Sequence, residues 1–201
     1  MRYFFKIRPY HPCDLSVLYS ICLLTGDSGR DASRQYKDPD LLGQFYVAPY
    51  VVLEPDLCFV FTRSGMPCGY ILGTRDSVQF YQRCEREWFP LLRERYTLSG
   101  SNQDSPDARI VRLIHEGHKS NDDLVSYPAH LHIDILPEGQ GQGMGRKLVD
   151  AFISRLRELK VIAVHLKVGK ANTDAIHFYE RVGFHVIEEY EKDIAFGMRL
   201  L

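Results

Sequence analysis

Gln140-Gly141-Gln142-Gly143-Met144-Gly145 lies between a strand-like run, residues 131–135 closed by Pro137, and a long amphipathic segment. That segment carries Leu148, Val149, Phe152, Ile153, Leu156 and Leu159 on one apolar stripe, so the periodicity predicts a helix. A glycine-rich turn that opens a helix presents unpaired backbone N–H groups and the positive end of the helix dipole. Such a turn suits phosphate, and here a pyrophosphate. Glycine spacing alone would equally suit a dinucleotide fold. Gly141, Gly143 and Gly145 are more glycines than a sharp turn needs, which favours close approach of phosphate to the backbone.

Working outward, residues 3–8 alternate like a half-buried strand, and Asp14 is placed to cap a helix through Leu15, Leu18, Ile21 and Cys22. Residues 25–39 are polar and read as a loop, followed by a short helix over 39–51. Strands at 57–62 and 68–74 are joined by a glycine-containing hairpin loop. A polar helical insert spans about 76–127. Its first helix includes Val78, Tyr81, Trp88, Leu91 and Leu92; a flexible connection follows at 99–105, then a second helix from Pro106. After the glycine turn and its helix come a strand at 161–168, a helix at 173–182 stopped by Gly183, and a closing hairpin around Lys192-Asp193. This order is mixed α/β (α+β), with one right-handed βαβ crossover.

The 201 residues suit a single domain, 1–201, and the 45% apolar and 25% charged composition is that of an ordinary globular protein. A net charge of −1 offers no electrostatic footprint for nucleic acid or an anionic membrane. No apolar run approaches the ~20 residues that span a bilayer. A cytoplasmic location is expected. Five cysteines at irregular spacing argue against a disulfide framework and read as small buried hydrophobes.

A second segment strengthens the first: Asn172-Thr173-Asp174-Ala175-Ile176-His177-Phe178-Tyr179, then Gly183-Phe184. Gln-x-x-Gly-x-Gly followed at this distance by Asn-x-x-Ala-x-x-Phe-Tyr resembles the two signature blocks of the GNAT N-acetyltransferases. Only residues 131–184 carry these specific motifs, although the element order resembles the family throughout. Phe59-Val60, the run Cys68-Gly69-Tyr70-Ile71-Leu72-Gly73-Thr74, the insert with Trp88 and the ending Gly197-Met198-Arg199-Leu200 further resemble the acetyltransferase-like C-terminal domain of O-GlcNAcases and its free-standing bacterial relatives. The resemblance implies a GNAT fold, a mixed, mostly antiparallel twisted sheet flanked by helices. It also implies acetyl-CoA as cosubstrate, an amine acceptor of unspecified identity and no metal.

Carried over residue by residue, the likeness assigns the pyrophosphate to the turn Gln140, Gly141, Gln142, Gly143, Met144, Gly145 and Arg146. The backbones of Ile133 and Ile135 would pair with the pantetheine amides, and Asn172 would contact the thioester end. Asn172 is also a credible helix N-cap. Tyr179 would protonate the departing thiolate, a phenol near ~10 serving a thiol near ~8.5, although a buried aromatic is the plainer reading. A backbone N–H near Ile135 or Leu136 would polarise the thioester carbonyl.

His130, His132 and Asp134 share one strand face. Asp134 or His132 can serve as general base for the amine. His-x-His-x-Asp also echoes a metallo-β-lactamase ligand run, but that run continues with a further His and Gly, and here Ile135-Leu136-Pro137 follows. Plain strand polarity is the third reading. The loop at 27–31, Tyr36 and the insert around Trp88 read as walls of the acceptor site or as a homodimer surface. The alternative to an enzyme is a non-catalytic acyl-CoA-binding module.

Overall fold

The computed structural model describes residues 3–98, 104–119 and 122–201; the connection expected at 99–105 lies mostly outside them. Seven strands form one sheet: β1 (Phe5–Pro9), β2 (Phe59–Arg63), β3 (Met66–Thr74), β4 (Ala129–Ile135), β5 (Ala163–Gly169), β6 (His185–Glu189) and β7 (Asp193–Arg199). Their order is β1-β2-β3-β4-β5-β7-β6, antiparallel except for the parallel pair β4/β5. The mixed, mostly antiparallel sheet therefore stands as expected.

The helices are α1 (Leu15–Thr25), α2 (Leu41–Tyr46), α3 (Ala48–Leu53), α4 (Ser77–Arg83), α5 (Phe89–Arg95), α6 (Pro106–Glu116), α7 (Met144–Glu158) and α8 (Thr173–Val182). None in the described residues is long and apolar enough to cross a membrane. The single helix expected over 39–51 is two, broken at Val47 because Pro49 cannot continue the hydrogen-bond ladder. The helix through Trp88 is likewise interrupted by a π turn at Cys84–Trp88, where the Phe89 N–H reaches Cys84 O. Pro90 follows at once and removes the next donor, which the wider turn accommodates.

Asp14 does not cap α1. Its carboxylate instead grips the Arg8 guanidinium at 2.6 and 2.7 Å and accepts from the His11 N–H. A nearby guanidinium outcompetes an exposed helix end for a nearly buried carboxylate. Cys22, Cys58, Cys68 and Cys84 are buried as expected, but Cys13 is exposed in the turn before α1.

Strand alternation gives β4 two faces. Leu131, Ile133 and Ile135 join the apolar core beneath α7, whose Leu148, Val149, Phe152, Ile153 and Leu156 are buried against them. The other face looks toward the core built by α1, α2, α3 and the insert. Each Leu or Phe fully buried in such a core contributes about 1.5–3 kcal/mol.

Candidate active site

β4 is paired with β3 from Thr74↔His130 to Gly69↔Ile135, but with β5 only at Ala129↔Val164 and His130↔His165. Beyond His130 the two parallel strands part and a wedge opens in the sheet. The Leu136 N–H donates to Cys68 O at 2.9 Å. Antiparallel alternation therefore turns the amides of His132 and Asp134 toward β3, and those of Leu131, Ile133 and Ile135 toward the wedge. This alternation corrects one expectation: the Leu136 N–H is committed to the sheet, so of the two proposed carbonyl-polarising donors only Ile135 faces the opening.

The glycine turn closes the mouth of the wedge. Gly141 and Gly143 have φ of +74° and +70°, a left-handed conformation that disfavours any side chain, and open space lies where their Cβ atoms would be. Gly143 is the N-cap of α7. Gly145 has a different reason: a Cβ there would lie 3.0 Å from Phe178, so it lets α7 approach α8. The turn's backbone thus requires two of the three glycines, and the approach of α8 requires the third. Gln140 ties the turn back to β4, its Nε2 donating to Ile135 O at 2.8 Å. Arg146 points along α7 to the end of α8, donating to Arg181 O. Gln142 is exposed, whereas Met144 is buried.

Asn172 caps α8, its Oδ1 accepting from the Ala175 N–H at 3.2 Å. Two turns later Tyr179 is buried among Phe178, Phe184 and Phe196. Burial, and then the negative charge of Asp134, push its phenol well above the ordinary value. The buried thiols of Cys68 and Cys84 rise too, to about 11 and about 12. An apolar site penalises phenolate and thiolate alike.

On the opposite face of β4, Asp134 accepts a 2.6 Å hydrogen bond from the Tyr70 hydroxyl, directly across the β3/β4 register. Burial raises its carboxyl, while hydrogen bonds from Tyr70 and Thr25 hold the rise back. His132 and His130 both meet the hydroxyl of Tyr50, at 2.9 and 2.7 Å from Nε2. Burial lowers His132 to about 4, helped by the like charge of His165, and lowers His130 well below the usual imidazole value. Both are neutral at pH 7. His118 stacks on Tyr81 at 4.8 Å and lies 4.7 Å from Phe45; burial and His132 lower it to about 4.

The three polar residues of β4 do not converge as ligands. The histidines share a tyrosine, the aspartate takes another, and no group of three His, Cys, Asp or Glu side chains among the described residues is disposed to hold a metal. Trp88, expected as a site wall, ties the insert to α2 through Nε1 to Gln44 O at 2.9 Å. Tyr50, Tyr70, Ser77 and His118 went unread in the sequence. Only Tyr70 had a signal, since a β3/β4 register fixed by the apolar pattern places it opposite Asp134.

A split sheet with a glycine turn at its mouth and a capped helix beside it defines an acyl-transfer scaffold. The model of the acetyltransferase (GNAT) family matches residues 30–184, and the chain belongs to that family. In the solved structure of SsHAT, 39% identical and covering 98% of each chain, the fold superposes with a TM-score of 0.91. Protein O-GlcNAcase from Rattus norvegicus is 28% identical over 196 residues, 94% of this chain, which spans about a fifth (21%) of that protein's length. Mycothiol acetyltransferase from Propionibacterium freudenreichii is 49% identical over 55 residues, 27% of this chain and 18% of that protein. The yncA protein of Salmonella typhimurium, solved with acetyl-CoA, shares the fold at 14% identity and a TM-score of 0.58, with 98% of this chain and 94% of that chain covered.

Proposed function

We propose that this N-acetyltransferase moves the acetyl group of acetyl-CoA to an amine by direct attack in a ternary complex. The observation that carries this is the wedge between β4 and β5, with the glycine turn at its mouth. The backbone N–H and C=O of Ile133 supply an extended edge for the pantetheine arm, as one more strand would, with the Ile135 N–H beyond it left for the thioester carbonyl. The turn 140–146 and the start of α7 supply N–H donors and a positive dipole end for the pyrophosphate. Asn172 and Tyr179 stand at the start and middle of α8, on the side where the thioester would end.

An ammonium must first lose a proton, to His132 or Asp134. The free amine then attacks the thioester carbon, forming C–N while C–S breaks. The Ile135 N–H supports the oxyanion, and Tyr179 protonates the leaving thiolate. The second amine proton restores the phenol, and the first leaves to solvent, so one proton is released per turnover. Small amines, amino sugars, peptide N-termini and protein lysines are the candidate acceptors.

Titration calorimetry with acetyl-CoA tests the binding step, and thiol release over an amine panel tests transfer. Binding without amine-dependent thiol release would make the protein an acyl-CoA-binding module; absence of heat at high micromolar acetyl-CoA would remove both readings.

A further inference from the structure

The polar cluster on β4 has a direction that can be worked out from one end. Pro128 contributes only a carbonyl, which accepts from the Ser77 N–H at 2.8 Å and from the Ser77 hydroxyl at 2.7 Å. The single hydroxyl proton of Ser77 is therefore spent. Its 2.7 Å contact with His130 Nδ1 requires that Nδ1 carry the hydrogen and donate. Because His130 is buried and neutral, its Nε2 is then bare and must accept from the Tyr50 hydroxyl 2.7 Å away. Tyr50 has one proton as well, so its 2.9 Å contact with His132 Nε2 requires that His132 donate. His132 is left with a hydrogen on Nε2 and a bare Nδ1, which no hydrogen bond among the described residues engages.

We propose that Ser77, His130 and Tyr50 form a one-way hydrogen-bond chain, anchored on the Pro128 carbonyl, that locks His132 as the Nε2–H tautomer and presents its Nδ1 as proton acceptor for the amine. This deepens the acyl-transfer reading and rests on it for the base's task. The three anchoring residues are positioning residues. Only His132 meets the substrate proton: the N–H bond of the ammonium breaks, its electron pair stays on the amine nitrogen, and the proton joins Nδ1.

The chain holds a tautomer and does not conduct protons. A carbonyl oxygen at its far end has no proton to exchange and no base beyond it. A proton taken at Nδ1 leaves the way it came, to solvent. Protonation also requires no rearrangement, since Nε2 donates to Tyr50 in both charge states, which is the preorganisation a base in a dry site needs. The groups around His132 are Tyr46, with its ring 6.2 Å away, Tyr50, His118, His130 and His165, with Asp134 two residues on along the same face. None of the facing histidines is charged at pH 7, so the lock is a matter of geometry.

Long-range ¹H–¹⁵N correlation spectra of the full, ligand-free chain read the tautomers directly and need neither acetyl-CoA nor an acceptor. The expected pattern is His130 protonated on Nδ1 and His132 on Nε2. Tyr50→Phe cuts the chain in the middle: His130 stays fixed through Ser77 while His132 is released to a mixture. Ser77→Ala removes the anchor and releases both; kcat/KM falls by about 10-fold or more, acetyl-CoA affinity stays within about twofold, and Ser77→Thr restores the rate. A wild-type spectrum with His132 protonated on Nδ1, or a Ser77→Ala variant with tautomers unchanged, overturns the lock. Failure of acetyl-CoA to bind, with the expected tautomers intact, would overturn the transferase reading alone.

Discussion

On one face of β4, Leu131, Ile133 and Ile135 meet α7 and α8 in a core of aliphatic side chains and phenylalanines; on the other, His130, His132 and Asp134 meet tyrosine hydroxyls and buried rings. The first face leaves the chemistry to backbone: parted strands, a left-handed turn, a helix end. The second relies on side chains that touch across 50 to 80 residues of sequence, such as Ser77 with His130 and Tyr50 with His130. On the proposed reading, one strand would serve two partners, a long cosubstrate met by main chain and an acceptor met by side chains.

The comparison breaks most sharply at Tyr179, a polar residue on the apolar side. Replacing Tyr179 by Phe keeps the packing against Phe184 and Phe196 and removes only the hydroxyl proposed as the acid. Turnover should fall about 10²- to 10⁴-fold, with acetyl-CoA affinity within about twofold in calorimetry. Equal loss of rate and affinity would make the hydroxyl a structural group.

Gly143→Ala tests whether the turn works through its backbone. Its φ of +70° costs an alanine about 1–2 kcal/mol, and the new methyl enters the open space in front of the turn. Acetyl-CoA affinity should drop about 10-fold, because backbone donors lose close approach. A variant with normal affinity would place the pyrophosphate elsewhere. Gly145→Ala, by contrast, should act on the α7–α8 contact at Phe178 and lower stability more than affinity.

This division also decides what could be read in the sequence. The order of elements around β4, the helices that follow it and the turn followed from periodicity, glycines and Asn172, because their causes lie within a few residues of one another. The packing reason for Gly145 was not read, because Phe178 is on another helix. Asp14 was misread because Arg8 competes for it. The hydrogen-bond chain behind His132 was invisible, since Pro128, Ser77 and Tyr50 have no spacing that marks them as neighbours. The insert was legible as helices, and its role in bracing α2 through Trp88 was not.

Acid should expose the polar face first. His118 and His132 are held to about 4, against an unfolded value of ~6.5. Between those values the unfolded chain binds more protons than the native one, so stability is complete above ~6.5 and falls as pH drops, by at most about 1.4 kcal/mol per unit for each group. Asp134 works the other way. Its raised carboxyl binds a proton earlier in the native state, which offsets part of the loss near the lower end. Denaturant midpoints at pH 7 and pH 5 should differ in the wild type and differ less in His132→Gln. A pH-independent midpoint in the wild type would mean that these rings are solvated.

The smallest effect is the most discriminating, because its expected sign is opposite to that of an ordinary core substitution. His118 sits among Phe45, Phe80, Tyr81 and Phe89, and its Nε2 is buried with no partner among the described residues. A lone buried nitrogen costs about 1–3 kcal/mol of unrecovered hydration. A phenyl ring fills nearly the same volume without that cost, and its faces and edges suit the same aromatic neighbours. His118→Phe should therefore raise Tm by about 2–4 °C, the shift that about 1 kcal/mol gives a chain of this size. It should also flatten part of the acid loss, since one lowered imidazole has gone. A fall in Tm would show that Nε2 has a hydrogen-bond partner, and that the aromatic side of β4 is as fully satisfied as the chain from Pro128 to His132.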